Sequence, residues 1–168
     1  MASEKDNNVN FWDELIRLRD EERARKSKDT LAVVKGKGRP LQLSQQGFMR
    51  WYMHPSIDDT VVKTMIFFVQ EIPPNSRSGL IKCQGNHVIY VWQGKGYSMI
   101  DQVKHPWEAG DVIQLPLRPN GVTCQHYNDD PELTVKLVCV EPNNVAALGV
   151  DKGSGFEQLE LAPEYENR

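Results

Sequence analysis

From Leu41 to about Glu141, short runs of β-forming residues alternate with turn residues at intervals of a few positions, a rhythm that points to an all-β sandwich or barrel. The pattern predicts strands over 48–53, 61–72, 79–83, 87–92, 97–100, 111–115, 122–128 and 133–140. Turns are marked by Ile72-Pro73-Pro74-Asn75, Gln93-Gly94-Lys95-Gly96, Glu108-Ala109-Gly110-Asp111 and Arg118-Pro119-Asn120-Gly121. Glycine and proline at these places supply the dihedral angles a reversal needs.

The flanks read differently. Asn10 is placed to cap a helix starting at Phe11, with Asp13 and Glu14 in the first turn, where the helix dipole favours acids. Phe11, Leu15 and Leu18 repeat at helical spacing, and the stretch after Arg19 is almost wholly charged to about Lys28. The expectation is a solvated helix packed on the β-domain by its first turns, with a subunit-contact helix as the alternative. Residues 1–40 are read as helix and linker, 41–142 as the β-domain, and 143–168 as a tail with one short ordered piece near 156–161.

Composition narrows the partners. The 168 residues carry 20 basic and 23 acidic side chains, a net charge of −3, which argues against broad binding to nucleic acid or anionic membranes. The polar start of the chain has no apolar run of the secretory kind, so a cytoplasmic location is expected. There Cys83, Cys124 and Cys139 would be mostly reduced, available as ligands or as core thiols.

Two spacings give the β-region a more specific look. Asn75, five residues, Ile81-Lys82-Cys83, three residues, His87, six residues and Gly94 form the first. Gly110, five residues, Pro116, then Cys124, three residues and Asn128 form the second, with three additional residues between Pro116 and Cys124. Over about residues 45–142 this resembles the cupin superfamily. That family's first motif runs Gly, five residues, His-x-His, three or four residues, Glu, six residues, Gly. Its second runs Gly, five residues, Pro-x-Gly, two residues, His, three residues, Asn. Val91-Trp92-Gln93-Gly94-Lys95-Gly96-Tyr97 and Trp107-Glu108-Ala109-Gly110-Asp111-Val112 resemble cupin turns. Cys124-Gln125-His126-Tyr127-Asn128 looks like a string of small cupins similar to gentisate-type ring-cleaving dioxygenases.

The resemblance implies a jelly-roll β-barrel with an N-terminal helix, a homodimer, and a metal-dependent reaction on a small organic, possibly aromatic, acid. It implies convergence of Cys83, His87 and Cys124 as metal ligands, with His126 as a fourth ligand or acid/base catalyst. The usual three histidines and one glutamate have become Ile81, Cys83, His87 and Cys124. Two thiolates and imidazoles suit a divalent transition metal, iron, zinc or copper. Two other readings stay open: a metal-free pocket for a small molecule, with the cysteines as small inward hydrophobes, and a Cys83–Cys124 redox pair. A non-catalytic metal- or small-molecule-binding cupin is the rival from another functional class.

Elsewhere, His54 is read as a strand-end residue, His105 as exposed beside Pro106, and Cys139 as core. Arg77 and Arg118 flank the strands, where either is placed to pair with a substrate carboxylate. The start of the Asn10 helix and the edge strand after Leu41 are the expected dimer contacts.

Overall fold

Side-chain alternation sorts the strands into two antiparallel sheets whose inner faces share one core. The computed structural model describes residues 10–28, 31–57, 59–60, 62, 64–143 and 156–167. Its strands are β1 (Gln42–Ser44), β2 (Gly47–Met53), β3 (Met65–Ile72), β4 (Ser76–Arg77), β5 (Leu80–Cys83) and β6 (His87–Gln93). They continue with β7 (Lys95–Ile100), β8 (Val103–Glu108), β9 (Val112–Leu115), β10 (Val122–Asn128), β11 (Val135–Pro142) and β12 (Phe156–Glu160). Helices α1 (Phe11–Lys28) and α2 (Pro163–Glu166) lie near the two ends. One sheet runs β1-β2-β3-β11-β6-β9 and the other β12-β5-β10-β7-β8, with β4 paired to β10. The described strands thus form two ladders, a cupin-like sandwich, where the sequence pointed to one barrel.

The period of two decides which residues meet between the sheets. Val135, Leu137 and Cys139 of β11 point inward beside Ile66, Phe68 and Ile72 of β3 and Ile89 and Val91 of β6. Val122 and Cys124 of β10, Ile100 of β7 and Trp107 of β8 face them from the second sheet. Burying a side chain such as Leu137 contributes about 2 kcal/mol.

Asn128, which ends the second motif, serves the fold. Its Nδ2 lies 2.8–2.9 Å from the carbonyls of Ile72, Pro73 and Leu133, and its Oδ1 accepts from the Asp130 N–H at 3.0 Å. This side chain ties the β3–β4 turn to the β10–β11 turn.

Strand β8 and the packing of α1 depart from the sequence reading. Strand β8 was missed because Lys104-His105-Pro106 is polar and contains proline, which a sheet tolerates on an edge strand such as this one. A two-residue reversal with Asp101 (φ 47°) and Gln102 (φ 69°) leads into it. The short ordered piece expected near 156–161 is an edge strand, Phe156–Glu160, paired with β5. Helix α1 forms as expected, with Asn10 Oδ1 accepting from Trp12 and Asp13 N–H and Arg17 bridging Glu14 and Glu21. Its apolar positions are not packed away, however: Phe11, Trp12, Leu15 and Leu18 are 46–70% exposed. A helix this charged gains enough from capping and from spaced ion pairs to form without a core contact of its own.

Candidate functional site

A cavity of about 550 Å³ lies between the sheets. Its walls are mostly apolar: Met49 and Trp51 of β2, Ile66 and Phe68 of β3, Ile81 of β5 and Ile89 of β6. Trp51 packs on Phe68 at 4.9 Å between ring centroids and edge-on against His54 at 5.1 Å, which makes an aromatic wall. Gln158 of β12, Phe156 and Tyr165 border it from the C-terminal segment. Gln46 Nε2 donates to Gln158 Oε1 at 2.9 Å and so joins that segment to the first sheet.

The turn between β5 and β6 places two of the sequence-predicted residues. Gly85 has φ +86°, and a Cβ there would meet the Pro116 carbonyl oxygen at 2.0 Å. Asn86 N–H donates to the Leu115 carbonyl at 2.8 Å, holding the turn against the end of β9. Cys83 and His87 flank the turn on the two facing sheets, and both line the cavity.

Strand register separates the remaining predicted ligands. Val122, not Cys124, stands opposite Cys83; Cys124 stands between Ile81 and Ile100. Cys124 is 2% exposed and does not line the cavity, whereas His126, one inward position further on, does. Among the described residues no group of three or more His, Cys, Asp or Glu side chains is arranged to hold a metal ion. All three cysteines are free thiols, so no Cys83–Cys124 disulfide is formed. Burial raises all three thiols above their ordinary value.

Hydrogen bonding at His126 runs against metal ligation as well. Trp107 Nε1, a donor only, gives its proton to Ser98 Oγ at 2.9 Å. Ser98 is fully buried, and among the described residues its hydroxyl has one other side-chain partner, His126 Nδ1 at 2.7 Å. The arrangement that satisfies the buried Ser98 hydrogen directs it to Nδ1, and in that arrangement His126 is protonated on Nε2. A ligating histidine normally donates its outer N–H to an acceptor. Freeing Nε2 here would strand the Ser98 hydrogen, at a cost of about 1–3 kcal/mol. The residues present do not fit a metal held by Cys83, His87, Cys124 and His126.

The cavity also contains a titratable pair that the sequence reading missed. His87 Nδ1 lies 3.4 Å from Glu141 Oε2 at the end of β11. An ionised pair would raise His87 and lower Glu141, but burial dominates and both shift the other way. Desolvation takes His87 down to about 4 and Glu141 up to about 7. His126 is likewise lowered to about 4, by burial and then by His87. At neutral pH both imidazoles are neutral and Glu141 is near its midpoint. Its inward position follows from the same alternation that buries Leu137 and Cys139, a signal visible in the sequence.

Of the other residues singled out, His54 reaches the cavity, its Nδ1 accepting from Ser56 N–H at 3.1 Å. Cys139 is core and also forms part of the wall. His105 is exposed. Arg77 pairs with Glu160 at 2.7 Å and Arg118 with Asp101 at 3.2 Å, and neither lines the cavity.

This architecture is that of cupin-like proteins. No family model and no curated protein matches the sequence. Among solved structures, the chain is similar to the polyketide cyclase RemF from Streptomyces resistomycificus, at 16% identity over 83% of this chain and 94% of that one, with TM-score 0.59. It is also similar to a cupin-like protein from Thermotoga maritima, at 17% identity over 78% and 90%, with TM-score 0.53. A predicted oxalate decarboxylase from Thermotoga maritima matches at 21% identity over 64% and 96%, with TM-score 0.52. These likenesses establish a cupin-like fold. Among the described residues no helix is long and apolar enough to cross a membrane.

Proposed function

We propose that this protein is a small-molecule-binding cupin of the jelly-roll type, taking an organic ligand with a mostly apolar body between its sheets. The observation that carries this is the 550 Å³ cavity, apolar on most sides and supplied with a few polar groups. Trp51, Phe68 and His54 suit a flat ring. The dioxygenase-like chemistry implied by the Cys124–Asn128 string needs a metal that the donor set does not fit.

The uncharged fluorescent probe N-phenyl-1-naphthylamine is expected to bind saturably, one per chain, and to be lost when Ile81→Trp fills the cavity. Equal binding by that variant would remove the cavity from the argument. Metal content supplies a second check. Protein purified without tag or chelator is expected to carry well under one metal per chain, unchanged in Cys83→Ala/Cys124→Ala. One metal per chain that disappears in the double variant would restore the metal-centre reading.

A catalytic reading has one observation in its favour, the His87–Glu141 contact. A carboxyl near its midpoint beside a neutral imidazole is suited to passing a proton. On this reading wild type accelerates methyl deuterium exchange of 2-acetylnaphthalene in D2O and Glu141→Gln does not. No acceleration by wild type leaves a binding protein.

A further inference from the structure

The ligand's chemical class follows from the charges and donors that face the cavity, given the cavity-binding reading above. Among the described lining residues there is no lysine or arginine. A carboxylate entering would shed its hydration without gaining a cation, and it would face the carboxyl of Glu141. An uncharged ligand escapes both penalties.

Two of the lining donors, His126 and His54, are histidines held in one tautomer. His126 is protonated on Nε2 because Trp107 and Ser98 occupy its other side. The only protein partner of that N–H among the described residues is Cys124 Sγ at 3.8 Å, a long contact to a weak acceptor. A carbonyl oxygen is a stronger acceptor and would displace the thiol readily. His54 accepts the Ser56 N–H on Nδ1 and so also carries its proton on Nε2. By contrast, the amide nitrogen of Gln70 is engaged by the Gln46 carbonyl at 2.7 Å.

We infer that the cavity takes an uncharged molecule with an apolar, ring-like body and a carbonyl oxygen, and that His126 Nε2–H holds that oxygen. This departs from the organic acid expected on the sequence. Ser98 and Trp107 are positioning residues: they set the tautomer without touching the ligand.

Three probes sharing one ring system test the idea at pH 7.5 on the full chain, read by quenching of tryptophan fluorescence: 2-acetylnaphthalene, 2-naphthoate and 2-ethylnaphthalene. The ketone is expected to bind at least about ten-fold tighter than the carboxylate and about five-fold tighter than the hydrocarbon. His126→Phe should abolish the preference for ketone over hydrocarbon while hydrocarbon binding persists. Long-range proton–nitrogen correlation spectra of wild type should show His126 protonated on Nε2, and Ser98→Ala should show a mixture of tautomers. Carboxylate binding as tight as the ketone's, or His126 protonated on Nδ1, would overturn the inference. Ketone and hydrocarbon binding equally would overturn it too, but leave the cavity reading standing. Failure of all three probes to bind would remove both.

Discussion

At the scale of single residues, burial decides more than proximity. His87 and Glu141 are 3.4 Å apart, yet each is pushed toward its neutral form by loss of water. The consequences for stability have opposite signs. Glu141 is raised from 4.5 to about 7, so the folded state holds its proton more tightly, and the stability it contributes is lost as pH rises through about 7. His87 and His126 are lowered from 6.5 to about 4, so their contribution is present above about 6.5 and lost as pH falls toward 4. Glu141→Gln is therefore expected to stabilise the protein at pH 8 relative to pH 5 by up to about 3 kcal/mol, read by urea denaturation at the two pH values. An equal effect at both would show that Glu141 is not held near its neutral form. Glu141 was readable as an inward position of β11. Its raised affinity for a proton was not, since that depends on which atoms from β6 and β11 shut out water.

At the scale of elements, turns determine which side chains reach the cavity. The β5–β6 turn brings Cys83 and His87, one from each sheet, to the cavity, and Gly85 is the position in it that cannot accept a side chain. Gly85→Ala pairs an unfavourable φ with a clash against backbone, and is expected to destabilise by about 2–4 kcal/mol. A loss below about 0.5 kcal/mol in thermal or urea unfolding would show that the turn relaxes without strain. The β9–β10 connection acts in the opposite direction. With its three additional residues, β10 enters the sheet with Val122 beside Cys83, and Cys124 falls between Ile81 and Ile100. Motif spacing identified the strand and the inward face, but the neighbour of Cys124 was settled by register, which depends on turn geometry and packing on both sides.

At the scale of the whole molecule, apolar surface remains uncovered, with two clusters among the described residues. Phe11, Trp12, Leu15 and Leu18 are exposed on α1, and Val88, Tyr90, Trp92 and Val112 on the outer face of β6 and β9. The homodimer expected on the sequence has these surfaces to use, and α1 lacks the intramolecular packing predicted for it. Light scattering is expected to give twice the 19.2 kDa chain mass, and Leu15→Glu/Leu18→Glu is expected to shift the mass to that of one chain. A wild-type monomer would rule out the homodimer; a variant that stays dimeric would clear the helix of a role in it.

Local chemistry was sufficient for most of the central strands, the capped helix, the turn glycines and the inward faces carrying Cys83, Cys124 and His126, because periodicity and turn propensity act over a few residues. Assembly settled the rest. Strand register took Cys124 out of the cavity, packing of Trp107 and Ser98 chose the tautomer of His126, and the close of β11 set Glu141 against His87. Each of these depends on atoms brought together from distant parts of the chain, where the loss of water and the need to satisfy buried hydrogens outweigh what any one segment prefers.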